Sequence, residues 1–144
     1  MKRILLALAL ATLTGSAFAA DAPGLPVTKA TAGAEVYIVS PKDGATVGQE
    51  FTVVFGLKGM GVAPAGVHKD GTGHHHLLVD VTDLPAAGQP IPKDAQHLHF
   101  GNGQTETTLK LAPGTHTLQL ELADENHIPF DPALVSQKIT VHVK

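Results

Sequence analysis

Residues 105–122 read TETTLKLAPGTHTLQLEL, and their alternation decides the fold. Thr105, Thr107, Leu109 and Leu111 share one parity, with Glu106, Thr108 and Lys110 between them. After Pro113-Gly114, His116, Leu118, Leu120 and Leu122 share one parity, with Thr117, Gln119 and Glu121 on the other. A period of two sends alternate side chains to opposite faces of a strand, apolar inward and polar outward. Pro113-Gly114 reads as the tight turn of a hairpin, a pattern typical of immunoglobulin-like extracellular modules.

The same alternation recurs outward from this stretch. Ile139, Val141 and Val143 alternate with Thr140 and His142 at the C-terminus. Phe51, Val53 and Phe55 alternate with Thr52 and Val54. Residues 36–40 are apolar on both parities, which predicts a strand buried on both sides. His74–Val81 and His97–Phe100 are two further strands. The Gly-rich stretch 56–73 and the Pro-rich connection through Leu84-Pro85 and Pro90-Ile91-Pro92 cannot be regular elements. No segment carries a helical period. The pattern predicts an all-β fold, an immunoglobulin-like or cupredoxin-like antiparallel β-sandwich of about seven strands, with under about a tenth of the chain helical.

The N-terminus reads differently. MKRILLALALATLTGSAFAA has a basic start at Lys2 and Arg3, an apolar run from Ile4 to Leu13, and Ala17-Phe18-Ala19 before a cleavage point. That is the form of a secretory signal peptide over residues 1–19, too short for a transmembrane span. It places the protein in the periplasm or outside the cell. Cleavage after Ala19 leaves 125 of the 144 residues. Residues 20–33 are rich in Ala, Pro, Gly and Thr and predict a flexible leader, followed by a single sandwich domain over residues 34–144. Loss of Lys2 and Arg3 takes the formal charge from −3 to −5, and nothing resembles a nucleic-acid-binding face. No later segment is apolar enough to span a membrane. The chain has no cysteine, which excludes disulfides, thiolate nucleophiles and thiolate metal sites.

Chemistry concentrates in the histidines. GTGHHHLLVD, residues 71–80, places three in a row at the mouth of an apolar strand. His75 shares parity with Leu77 and Val79, while His74 and His76 take the opposite face. In HLHF, residues 97–100, His97 and His99 point away from the apolar set of Leu98 and Phe100. Two imidazoles at i, i+2 lie about 6.5–7 Å apart along one strand face. If the two segments lie side by side, His74, His76, His97 and His99 converge on one ion. Imidazole sets of this kind suit zinc or copper. A shared ion requires ring nitrogens of three histidines within about 4 Å of each other, given Zn–N bonds of about 2.0–2.1 Å. His127, in the loop ADENHIPFDP, is a further candidate ligand. His75, His68 and His116 are open as members of the site. His116, with the parity of the core leucines, reads as structural, and His142 as an exposed strand residue. Because only neutral imidazole coordinates, binding is expected to weaken as pH falls through about 6.5. No nucleophile elbow, metalloprotease helix motif or phosphate loop is present.

GTGHHHLLVD, PIPKDAQHLHFGNGQTETTLKLAPGTHTLQLELADENHIPFDP and SQKITVHV together resemble a bacterial secreted family catalogued as domain of unknown function 4399. The resemblance covers roughly residues 55–143. It implies an exported, single-domain β protein and supplies no activity. Members carry HIPH where this chain reads His127-Ile128-Pro129-Phe130, so the resemblance implies that a histidine at position 130 is not required. SPKDGATVGQEFTVVF, residues 40–55, resembles the opening of CopC-type periplasmic copper-binding sandwiches. Those use an N-terminal histidine as ligand, which a chain beginning at Ala20 lacks. Three functions follow as expectations: a periplasmic metal-binding protein that buffers, senses or delivers zinc or copper; a metal-dependent envelope enzyme using the same cluster; or a non-catalytic module that binds an envelope polymer or protein.

Overall fold

The computed structural model describes residues 25–144; the expected signal peptide and residues 20–24 lie outside the described residues. Nine strands follow in order: β1 (Glu35–Ser40), β2 (Ala45–Val47), β3 (Glu50–Lys58), β4 (Gly61–Val62), β5 (Thr72–Val79), β6 (His97–His99), β7 (Glu106–Lys110), β8 (Gly114–Ala123) and β9 (Ile139–Val143). No helix occurs among the described residues. One sheet has the order β1-β3-β7 and the other β2-β9-β8-β5-β4, with β6 also paired to β5. The longer strands pair antiparallel, whereas β2 joins β9 and β4 joins β5 in parallel.

The core lies between the two sheets. Val36, Val53, Phe55 and Leu109 from the first meet Leu77, Val79, Leu118, Leu120, Leu122, Ile139, Val141 and Val143 from the second. These are the parities that alternation assigned to the interior. At about 25 cal/mol per Å² of apolar surface, that burial is the main stabilising term in a chain without disulfides.

Two expectations are corrected. Residues 105–122 do not form a hairpin: β7 pairs with β3 in one sheet, while β8 pairs with β5 and β9 in the other. Pro113-Gly114 is a corner between sheets, with Gly114 at φ 148. Alternation is the same on both sides of a hairpin and of a corner, so the pattern alone did not separate them. Likewise β1 is buried on one side only. Val36 is in the core, whereas Tyr37 and Val39 are exposed, because β1 is an edge strand whose outer face is uncovered among the described residues. The Tyr37 ring lies across the strand pair over Gly56, filling the space a side chain would take there.

The second sheet carries a cover on its outer face. The connection 80–96 lies on that side, where Leu78, Ile91 and Ile128 are buried, while the loop 124–138 pairs at Pro129 and at Leu134–Ser136 with the edge of β8. Within the stretch read as a leader, residues 25–31 are tied to this cover. The Leu25 N–H donates to Gly88 O, Ala30 N–H to Asp131 O, and Asp131 N–H to Thr28 O.

Candidate metal centre

Strand β5 presents His74 and His76 to the covered outer face and His75 to the inter-sheet core. All three are essentially without solvent exposure. β6 lies antiparallel beside β5 with His99 opposite His76 and His97 opposite Leu78. His127 comes from the loop after β8. The imidazoles of His74, His76, His99 and His127 gather with ring centroids 4.7–6.0 Å apart.

Within that quartet, one nitrogen from each of His74, His99 and His127 lies within 4.8 Å of the other two. The edge between His99 Nε2 and His127 Nε2 is 3.1 Å. Tetrahedral ligands at about 2.0–2.1 Å from zinc stand about 3.3 Å apart, so this edge already has the length that a shared ion requires. The other two edges of the triangle, from His74 to His99 and to His127, lie within the same 4.8 Å bound. His76 adjoins the trio, with its ring 4.8 Å from His74 and 5.2 Å from His99. His97 lies apart. Its backbone N–H and the N–H of Gln96 donate to Asp94 Oδ1, and Nδ1 pairs with the same oxygen at 2.8 Å, forming a closed turn.

The position of His127 is built by Asp124. That buried carboxylate accepts N–H bonds from Asn126 and Ile128 at Oδ1 and the Thr28 hydroxyl at Oδ2. The loop is thereby drawn tight, and His127 sits at φ 67, a conformation uncommon outside glycine. His127 O in turn accepts the Ile91 N–H, which ties the cover to the loop. His99 is placed by Gly101, whose missing side chain leaves room for the ring.

The electrostatics favour neutral imidazole. Burial pushes His74 down to about 4, and the neighbouring His127 and His99 add to the effect. Burial pushes His76 lower still, reinforced by His74 and His99. His99 is lowered by burial, then by His127 and Lys93. Both ring nitrogens of His74 and Nδ1 of His76 are buried without a hydrogen-bond partner. An imidazole always carries at least one N–H, so such a site leaves a donor or acceptor unsatisfied at a cost of about 1–3 kcal/mol each. A coordinated cation removes that cost for the nitrogen that binds it. The chemistry of the donor set, three or four nitrogens with no sulfur, fits zinc or copper(II).

His75 belongs elsewhere. It packs against Phe55 at 5.2 Å between rings, and burial pushes it down to about 4. His116 Nδ1–H donates to Asp80 Oδ2 (2.7 Å), which raises its affinity for a proton, and His68 pairs with Glu125. His142 is exposed on β9. Glu121, Asp124 and Gly101 were not singled out from the sequence. Glu121 read as a solvent-facing residue of β8, yet it is 1% exposed because the cover lies over it.

Fold and site together define a β-sandwich protein with a histidine group able to hold a metal ion. The chain belongs to the family described as Domain of unknown function (DUF4399), whose pattern matches residues 53–144. No curated protein matches the chain. Among solved structures, it is similar to the fibronectin(III)-like modules of Clostridium thermocellum CbhA, at 16% identity and a TM-score of 0.37. That likeness covers 81% of this chain and 46% of the other, so the chain spans just under half the length of that structure. No helix among the described residues is long and apolar enough to cross a membrane.

Proposed function

We propose that this is a periplasmic metal-binding protein that holds one zinc or copper ion through His74, His99 and His127, with His76 against the site, and that it buffers, senses or delivers the metal. The observation that carries this reading is the convergence of three imidazoles within 4.8 Å, one of them with both nitrogens buried and unpartnered. His97, His116 and His68 each find a carboxylate partner; His75 is unpartnered like His74 but stands alone against Phe55, whereas His74 faces three other imidazoles. Elemental analysis of untagged protein, followed by calorimetric titration with zinc and copper, tests it. One ion per chain is expected, lost when His99 and His127 are both replaced by Ala and kept when His142 is replaced. An ion bound only by the folded state stabilises it by about 2.7 kcal/mol at a hundredfold excess over its Kd, which a melting curve reads directly. Wild-type protein that neither binds nor shifts refutes the reading.

One observation favours a second reading, a metal-dependent envelope enzyme. His76, His99 and His127 line a cavity of about 300 Å³ together with Pro90, Ile91 and Lys93. Two of the three proposed ligands, His99 and His127, face this cavity, and an ion held by three protein ligands beside it would keep a coordination position for water or substrate, as catalytic zinc sites do. Lys93 there offers a cation to an anionic group. Metal-dependent ester or phosphoester hydrolysis that disappears in Lys93→Ala while metal binding persists would separate the two readings.

A further inference from the structure

A second cavity lies on the same sheet face, away from the histidine trio. It measures about 310 Å³, the lower end of small-molecule sites. Its walls come from three separate segments: Leu84 and Pro85 of the cover, Phe130 and Ala133 of the loop after β8, and Val27 of the N-terminal strap. Glu121 lines it from β8 and is 1% exposed. Its Oε2 has no hydrogen-bond partner among the described residues. The other polar residue of the lining is also acidic: Asp131, which is exposed and engaged by Lys29.

A buried carboxyl without a donor is costly to keep, and a strand position on an apolar sheet would more cheaply hold Leu or Gln. Here the carboxyl meets a cavity that is otherwise apolar and large enough for a small organic molecule. We propose that this cavity binds a small organic amine, its ammonium group paired with Glu121 and its apolar body against Leu84, Phe130 and Ala133. Charge decides the class. With Asp131 paired to Lys29, the unpartnered Glu121 carboxyl and the lack of a cationic side chain in the lining disfavour anions, and a neutral alcohol satisfies one hydrogen bond without neutralising the charge. The amine supplies both in a water-poor setting, where a charge-assisted hydrogen bond is roughly twice as strong as a neutral one. None of its lining residues is among His74, His99 and His127, although Glu121 stands opposite His76 across the β5–β8 pair.

The probe is phenethylamine, compared with 2-phenylethanol and 3-phenylpropionate. Each is titrated into full-length mature protein with a chelator present, so that amine–metal contacts play no part. The pH is about 8, above the value near 7 to which burial raises Glu121. Methyl resonances of Ala87, Ala133 and Val27 report where the probe sits. The amine is expected to shift these methyls and to bind at least tenfold more tightly than the alcohol, with no shift from the carboxylate. Glu121→Gln keeps a hydrogen-bonding group but removes the charge, and should weaken the amine at least tenfold. Leu84→Arg, at a 43% exposed rim position where folding is untouched, should weaken it similarly by repulsion. The proposal is overturned if the amine produces no shift at these methyls, if alcohol and amine bind equally, or if Leu84→Arg binds the amine as wild type does.

Discussion

His99 rests on Gly101: a Cβ at position 101 would stand 2.2 Å from Cε1 and 2.5 Å from Nε2 of the His99 ring. Those atoms are the end of a side chain that can swing, so Gly101→Ala should leave the fold intact while moving a proposed ligand. Zinc affinity is expected to fall at least tenfold, or about 1.4 kcal/mol, with a melting temperature for metal-free protein close to wild type. Calorimetric titration beside a thermal melt checks both. Unchanged affinity would show that His99 is not a ligand.

The left-handed backbone at His127 separates strain from ligation. His127→Ala and His127→Gly both remove the imidazole, but only glycine adopts φ 67 without a Cβ penalty. Metal-free His127→Gly should therefore be more stable than His127→Ala by about 1–2 kcal/mol in urea unfolding, and neither variant should gain stability from zinc.

Acid should remove stability from the metal-free protein earlier than it removes metal affinity. His74 and His75 sit near 4 in the folded chain and near 6.5 when unfolded. Between those values the unfolded chain holds protons that the native one refuses, so stability falls as pH drops from about 6.5 to about 4. Each such group contributes about 1.4 kcal/mol per pH unit across the window. Glu121 acts oppositely: raised to about 7 by burial, it stabilises below its unfolded value near 4.5 and loses that contribution as pH rises through 7. Urea unfolding across pH should therefore show a maximum near 6.5 and a steeper acid side. For metal binding, burial at His74 and His99 moves proton competition downward, so affinity should persist below the 6.5 expected from free imidazole. A zinc-induced rise in melting temperature that vanishes by about pH 6 would contradict this.

His75 is a polar residue in an apolar place, with both ring nitrogens buried and unpartnered beside Phe55. His75→Leu has similar volume and no polar atom. It should raise stability by about 1–3 kcal/mol, most visibly at acid pH, and leave zinc affinity within a factor of two or three. Loss of metal binding in this variant would place His75 in the site.

Legibility divided along a physical line. Strand alternation located the core of both sheets, because a residue such as Leu118 or Val141 has only one way to be buried once the strand is formed. It also put His74 and His76 on one face and His99 on its neighbour. The third layer was hidden. Periodicity labels the face of β8 bearing Glu121 as polar, and polar was read as wet. Yet fifteen or so residues of Pro-rich connection must run somewhere, and running over that face is what buries Glu121, His74 and His76. The role of Asp124 was equally out of reach, since its partners Thr28 and Ile128 meet only through the loop geometry. His97 shares the parity of His99 but is captured by Asp94, three residues away, a local contact that outcompetes the distant cluster.

The corner at Pro113-Gly114 has a bearing on how the chain reaches this state. The stretch most suited to a quick local hairpin forms none, because its arms depart to different sheets. Partners are instead remote along the chain: Glu50 with Lys110, His74 with Ala123, Ala45 with Val141. Closure entropy is spent before such contacts repay it, which puts folding in the millisecond-to-second range of high contact order. A growing chain that ends before β9 lacks the strand that lies between β2 and β8. It also cannot gather His74, His99 and His127 until the loop after β8 has emerged. The native sandwich is thus completed from β9, and the three imidazoles meet only after β5, β6 and the far end of β8 have all been made.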